Sequence, residues 1–203
     1  MQTARQSLFD RLGSGAGAVT AVHAPPGAPR RSVAEGFIRE VFAQRYGARV
    51  RSFAPNLVFF EEAGQVVAAT GWRAAGHETL FLERYLDRPV EEALGHLASQ
   101  AVSRQRIVEV GNLASTRSGG SVHVILALAR QLDQLGFEWV VFTATAELVR
   151  LFSRLGLPLF ALAPADPSRL GEAAADWGTY YDAAPVVVAG RVRQGVEVSG
   201  RWR

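Results

Sequence analysis

The stretch RIVEVGNLASTRSGGSVHVILALARQL, Arg106 to Leu132, decides the fold. Its first half reads as a buried β-strand that nevertheless carries an acid, Glu109, and a glycine, Gly111. Glycine inside a β pattern marks a bulge or the close approach of another backbone. A bulged strand splays from its neighbour and releases N–H and C=O groups for a ligand. The second half, TRSGGSV (Thr116 to Val122), leads into a helix with Val122, Ile125, Leu126, Ala129 and Leu132 on one face. Glycines at a helix N-terminus let amides point at an anion, and the helix dipole favours negative charge there. Arg117 adds a fixed cation. The alternative is an ordinary connection between strand and helix.

Elements on either side place this unit in a mixed α+β chain. Residues 18–24, AVTAVHA, alternate as a short strand, and PPGAPRR breaks it. Ser32 with Glu35 fits a capping box for a helix carrying Val33, Phe37, Ile38 and Val41, which Gly47 can end. NLVFFEEAGQVVAATGWR reads as a hairpin turning at Glu-Ala-Gly. TLFLERYLDRPVEEALGHLASQ reads as a short strand or turn followed by a helix. After the opening stretch come a buried strand (FEWVVFTAT), a helix stopped by Gly156 (AELVRLFSRL) and a further strand (LPLFALA). Asp166-Pro167 is expected to cap a helix running toward DWGTYYD, and PVVVAGRV to close the chain as a strand. The expectation is one domain over residues 1–203, with 1–17 a loose N-terminal segment.

Composition narrows the chemistry. With no cysteine among 203 residues, a disulfide framework, a thiol nucleophile and thiolate metal sites are excluded. All 22 basic residues are arginine, which removes Schiff-base chemistry and leaves guanidinium groups suited to phosphate and carboxylate partners. No arginine cluster alternates with aromatics, so nucleic acid is not an expected partner. The N-terminus lacks the apolar core of a secretory signal. The apolar runs fall far short of the roughly 20 residues that a membrane span needs. No integral membrane segment and a cytoplasmic location are expected.

Individual residues have two readings each. Glu109, among Ile107, Val108 and Val110, is either a desolvated general base or a strand acid paired with an arginine. Asn112 either hydrogen-bonds an amide of the ligand or satisfies the bulge. Glu83, Arg84, Tyr85 and Asp87 fall in one turn, where acid and base so close fit a local ion pair. Trp177, Tyr180 and Tyr181 belong either to the core or to a lid over a ligand. His77, His96 and His123 fit no metal-ligand spacing, and no metal is expected. No serine shows the nucleophile-elbow pattern.

The strand, RSGGSV and the following helix resemble the GNAT superfamily of acyltransferases. Its pyrophosphate loop, Gln/Arg-x-x-Gly-x-Gly/Ala, lies between a bulged strand and a helix. Arg117 and Gly120 match that loop, with Val122 where a small residue is usual, and Phe152 stands where many members carry a tyrosine general acid. A closer resemblance rests on FAQRYGARVRSFAPNLV, LFLERYLD, RIVEVGNLAS, WVVFTAT, RLGLP, LAPADPSRLG and DWGTYYD, which together look like the bacterial thermostable hemolysin family. That resemblance implies a GNAT-like fold close to the acyl-homoserine lactone synthases, whose Glu-x-Ser-Arg motif follows the same strand. Glu109 matches its acid, Gly111 and Asn112 replace its serine and arginine, and Arg73 lies near another of its arginines. The tryptophan and paired acids of those synthases' amino-donor pocket are not recognisable, so homoserine lactone synthesis is not expected.

The resemblance thus implies a single-domain acyltransferase moving an acyl group from acyl-coenzyme A or an acidic acyl carrier protein to a small-molecule amine. No permanently bound cofactor is expected. Glu109 and Asn112 are the catalytic candidates. Leu113, Ser115, Arg117, Gly119, Gly120 and Ser121 are the candidates for holding the donor. Arg73, Glu83, Arg84, Tyr85, Trp177 and Tyr180 are those for the acceptor. A membrane-active hemolysin and a catalytically silent binding module are the competing expectations.

Overall fold

The computed structural model describes residues 19–116 and 120–201. The expected loose segment at 1–17, and Arg117 and Gly119 of the expected phosphate loop, lie outside the described residues. So do the side chains of Ser121 and His123.

Seven strands form one mixed sheet in the order β1-β2-β3-β4-β5-β7-β6. β1 (Val19–Ala24), β2 (Asn56–Glu62), β3 (Gln65–Ala74) and β4 (Ile107–Ser115) run antiparallel in succession. β4 pairs in parallel with β5 (Trp139–Ala144), which is antiparallel to β7 (Val186–Arg191), and β7 pairs antiparallel with β6 (Phe160–Pro164). The β2–β3 hairpin turns at Ala63-Gly64, with φ of 50° and 79°. Positive φ at both central residues matches the right-handed twist of the strands it joins.

The period-two alternation along β4 and β5 sends successive side chains to opposite faces of the sheet. On one face α1 (Arg31–Tyr46) packs Ile38 and Phe42 on Leu57, Phe59 and Ala69, while α2 (Val90–Ala98) packs Val90 and Leu94 on Ile107, Trp139 and Val141. On the other, α3 (Gly120–Gln134) seats Val124, Leu128 and Leu132 on Val58, Trp72 and Val108. α4 (Ala146–Arg154) and α5 (Val192–Arg201) complete that layer through Phe152 and Val198 against Phe142 and Val188.

Four local expectations are corrected. α1 starts after Arg30 with no side-chain cap, and Glu35 pairs with Arg31 and Arg39 instead of closing a capping box with Ser32. Its buried line is Ala34, Ile38 and Phe42; Val33, in the first turn, is exposed. Asp166 does cap, accepting from the Ser168 N–H, but the segment Pro167–Trp177 is 3-10 and broken at Gly171, whose φ is 57°. β7 does not close the chain, because α5 follows it directly. Gly195 explains that last difference: a Cβ there would lie 2.7 Å from the Ala129 Cβ, so the glycine that weakens the helix signal lets α5 approach α3.

Candidate active site

The bulge in β4 is the feature that builds a cavity. Gly111 pairs with Gly71 and Ala114 with Ala69, so Asn112 and Leu113 together face Thr70. The bulge is therefore centred one residue beyond Gly111. Asn112 adopts a left-handed φ of 54°, which asparagine tolerates better than most residues. Its Oδ1 accepts the Ala54 N–H at 3.1 Å, and the Thr70 hydroxyl donates to the Gly111 carbonyl at 3.1 Å. The close approach falls at Gly71 and comes from side chains, since a Cβ there would lie 2.8 Å from both Ala54 Cβ and Leu57 Cδ2. Asn112→Val is expected to cost about 2–4 kcal/mol, combining the orphaned Ala54 amide with the left-handed backbone, as measured by urea denaturation.

Because β4 bends away at the bulge, it pairs with β5 only through Ile107–Trp139, Val108–Val140 and Glu109–Val141. Beyond Glu109 the strands part, and a cavity of about 620 Å³ reaches both faces of the sheet. Its aliphatic arm, under α3 and α4, includes Val124, Leu128, Val140, Leu151 and Phe152. Its aromatic arm, under α1, includes Phe42, Tyr46, Phe81, Tyr85, Trp177 and Tyr180. Glu109, Gly111, Asn112, Leu113 and Ser115 line the junction.

Glu109 is buried and held from three directions. The N–H groups of Phe81 and Leu82 donate to its two oxygens at 2.7 and 3.1 Å, and Arg73 Nε lies 3.4 Å from Oε2. Burial pushes this carboxyl up to about 7, against the opposing pull of Arg73 and the two amides. A carboxyl titrating near neutrality beside a cavity can take a proton and return it. Arg73 also reaches Glu78 at 3.2 Å.

The FLERY segment divides between two tasks. Phe81 and Tyr85 face the cavity; Glu83 does not line it. Glu83 accepts the Leu80 and Val90 N–H groups and binds Arg104 through both Nη atoms at 2.7 Å. Burial raises the Glu83 carboxyl, yet the Arg104 guanidinium and those amides outweigh it and hold the group below the usual carboxylate range. Glu83 thus anchors the turn that presents Phe81 and Leu82 to Glu109. Arg84 sits over the Phe81 ring, 4.8 Å from its centre, and does not line the cavity. Arg104→Met, which leaves Glu83 without its cation, is expected to destabilise the fold by roughly 3 kcal/mol in the same denaturation measurement.

The aromatic arm is tied together by contacts distant in sequence. Gly178, with φ 53°, lies where a Cβ would meet the Tyr46 carbonyl oxygen at 1.9 Å, and the Thr179 N–H donates to that same oxygen. The segment therefore docks on the C-terminal end of α1 and presents Trp177, Tyr180 and Tyr181. The hydroxyls of Tyr85 and Tyr181 hydrogen-bond each other. At the rim, Arg45 pairs with Glu147. Phe152 is packed against Phe142 with ring centres 5.0 Å apart and offers no hydroxyl. Gly120 and Ser121 open α3, immediately after the undescribed 117–119 segment. Nothing in the sequence singles out Tyr46, Phe81 and Arg104; only their partners across the fold distinguish them from ordinary core and surface residues.

A sheet parted between β4 and β5 by a bulge, with a helix starting beyond the bulged strand, defines a GNAT-like fold. That fold is shared by the acyl-homoserine lactone synthase LasI, 16% identical, with 92% of this chain and 95% of that chain covered and a TM-score of 0.60. It is shared also by FeeM, an N-acyl amino acid synthase from uncultured soil microbes, 13% identical, with 86% and 92% covered and a TM-score of 0.58. BjaI, a coenzyme A-dependent acyl-homoserine lactone synthase solved with SAM and isopentyl-CoA, is 12% identical, with 87% and 85% covered and a TM-score of 0.55. In sequence, residues 24–196 match the thermostable hemolysin family, and the chain belongs to it. No curated protein matches the chain. Among the described residues, no helix is long and apolar enough to cross a membrane.

Proposed function

We propose that the protein is an N-acyltransferase that moves an acyl group from a thioester to an amine. The observation that supports this most is the position of Glu109, a buried carboxyl titrating near 7 at the junction where β4 and β5 separate. The thioester lies across that junction with its acyl chain in the aliphatic arm. The backbone at Leu113 holds the carbonyl and stabilises its developing negative charge. Gly120 and Ser121, at the N-terminus of α3, receive the phosphates of coenzyme A or of a carrier protein's prosthetic arm. BjaI, whose structure holds isopentyl-CoA, is a precedent for a coenzyme A-linked chain on this fold.

Glu109 takes one proton from the incoming ammonium group. The free amine attacks the carbonyl, the C–N bond forms and the C–S bond breaks. A second N–H proton reaches the leaving thiolate, and Glu109 returns its proton to water. Phe152 supplies no acid for the thiolate, so that proton comes from the nitrogen itself or through solvent.

The family description favours one rival, direct lysis of membranes by the protein. Both readings are tested in one series with the pure chain. Thiol release from acyl-coenzyme A or acyl carrier protein is followed with a thiol reagent, to which the cysteine-free chain is silent. Dye release from lipid vesicles is followed in parallel. Amine-dependent thiol release without vesicle leakage is the expected result. Vesicle leakage without amine-dependent thiol release would overturn the proposal.

A further inference from the structure

The aromatic arm carries information about the acceptor that acyl transfer as such does not require. Trp177 lies 5.9 Å from Phe81 and 5.5 Å from Tyr180, and Tyr180 lies 5.2 Å from Tyr181, measured between ring centres. These rings form a continuous wall leading to the Glu109 carboxylate. An aromatic face attracts a cation and offers a flat surface for an apolar body. Deeper in the arm, Tyr85 and Tyr181 hold two hydroxyl protons between them, and the bond joining them uses one. The second proton and the remaining lone pairs can meet a ligand.

The charges of this arm are set against a second carboxylate. Arg73 is engaged by two acids, with its Nε 3.4 Å from Glu109 and its Nη1 3.2 Å from Glu78. With Glu109 ionised, two carboxylates to one guanidinium leave that cluster with an excess of negative charge. At the rim, Arg45 is already neutralised by Glu147. An acceptor bearing a carboxylate beside its amino group would place a third negative charge next to Glu109, where Arg73 is already held by two acids and the nearby Arg84 is stacked over the Phe81 ring. An ammonium group meets the opposite field.

From this arrangement, and resting on the acyl-transfer reading, we infer that the acceptor is a primary amine on an apolar or aromatic body with no carboxylate beside the nitrogen. The product is then an uncharged N-acyl amide. Amino acids, which share the reacting amine and differ by the carboxylate, are poor ligands for the arm.

Two matched pairs isolate the carboxylate: phenethylamine against phenylalanine, and octylamine against 2-aminononanoic acid. Each is titrated calorimetrically into the full chain, with and without a non-hydrolysable thioether analogue of octanoyl-coenzyme A. The expected result is that at least one amine binds on the order of 10²-fold tighter than its amino acid, the scale of like-charge juxtaposition in a buried site. Glu78→Gln, which releases Arg73 from one of its acids, is expected to narrow the gap by strengthening the amino acid. Equal or tighter binding of the amino acids, or no binding of either amine, overturns the inference. Amine-selective binding with no amide formed from any thioester supports the inference about the arm and counts instead against the acyl-transfer reading, so the two failures are distinguishable.

Discussion

Glu109→Gln is expected to lower turnover by about 10²–10⁴-fold, the range for loss of a general base, while the protein stays folded and still binds its donor. The amide keeps the size of the side chain and one acceptor for the Phe81 or Leu82 N–H, but cannot take a proton. The pH profile distinguishes this role from a structural one. With the carboxyl raised to about 7, wild-type kcat/KM should fall as pH drops through that value, and the variant should lose that inflection. Stability supplies an independent sign. A carboxyl raised from 4.5 to about 7 on folding contributes stability that is fully present below 4.5 and lost as pH rises through about 7. The melting temperature of Glu109→Gln should therefore gain on that of the wild type between pH 5 and about 8. A pH-independent difference would remove the raised carboxyl from the account.

Gly111→Leu should reduce kcat/KM by about 10²-fold or more, with little change in melting temperature. A Cβ at Gly111 meets nothing within 4 Å, and the residue lines the cavity where the strands part. A larger side chain therefore enters empty space rather than the core, and it displaces the reacting groups; misplacement of about 1 Å can already cost 10²-fold. Gly111→Ala adds a single methyl and should fall between the two. The control is Gly71→Ala on the paired strand, which should lose stability, because its Cβ collides with Ala54 and Leu57 at 2.8 Å. Normal turnover by Gly111→Leu would move the reaction away from the β4–β5 gap.

The part of this architecture written in local pattern was legible from the sequence. Alternation in VEVGNLAS and the helical spacing of Val122, Ile125 and Leu126 announce a strand, a break and a helix, and Glu109 stands out as an acid among apolar neighbours. What stayed hidden depends on contacts between distant segments. Gly111 pointed toward a bulge, but the residue that turns is Asn112, held by Ala54 from 58 positions away. Glu83 reads like a binding residue until Arg104, Leu80 and Val90 are seen to occupy both of its oxygens. Trp177 and Tyr180 gain a place in the site only because Gly178 lets their segment dock on Tyr46. α5 has a weak sequence signal because Gly195 and Gly200 lower helix propensity, and the packing on Ala129 that requires Gly195 leaves no trace in a linear pattern.

The family description and the proposed chemistry are compatible if lysis arises from a product. An uncharged amide with a long acyl chain is an amphiphile, and its accumulation would disturb a membrane without the protein entering one. Gly111→Leu offers the link, since cells producing it should yield lipid extracts that no longer lyse red cells.

The most direct measurement follows the acyl carbon itself. The pure chain is incubated with octanoyl-coenzyme A or octanoyl carrier protein labelled with carbon-13 at the carbonyl, together with a total extract of small-molecule amines, and the fate of the label is read by mass spectrometry and NMR. The account predicts that the label appears in a new N-acyl amide with the wild type and that this signal is lost with Glu109→Gln and Gly111→Leu. Label that remains in the thioester or emerges only as free fatty acid, with both donors and folded wild-type protein, would contradict it.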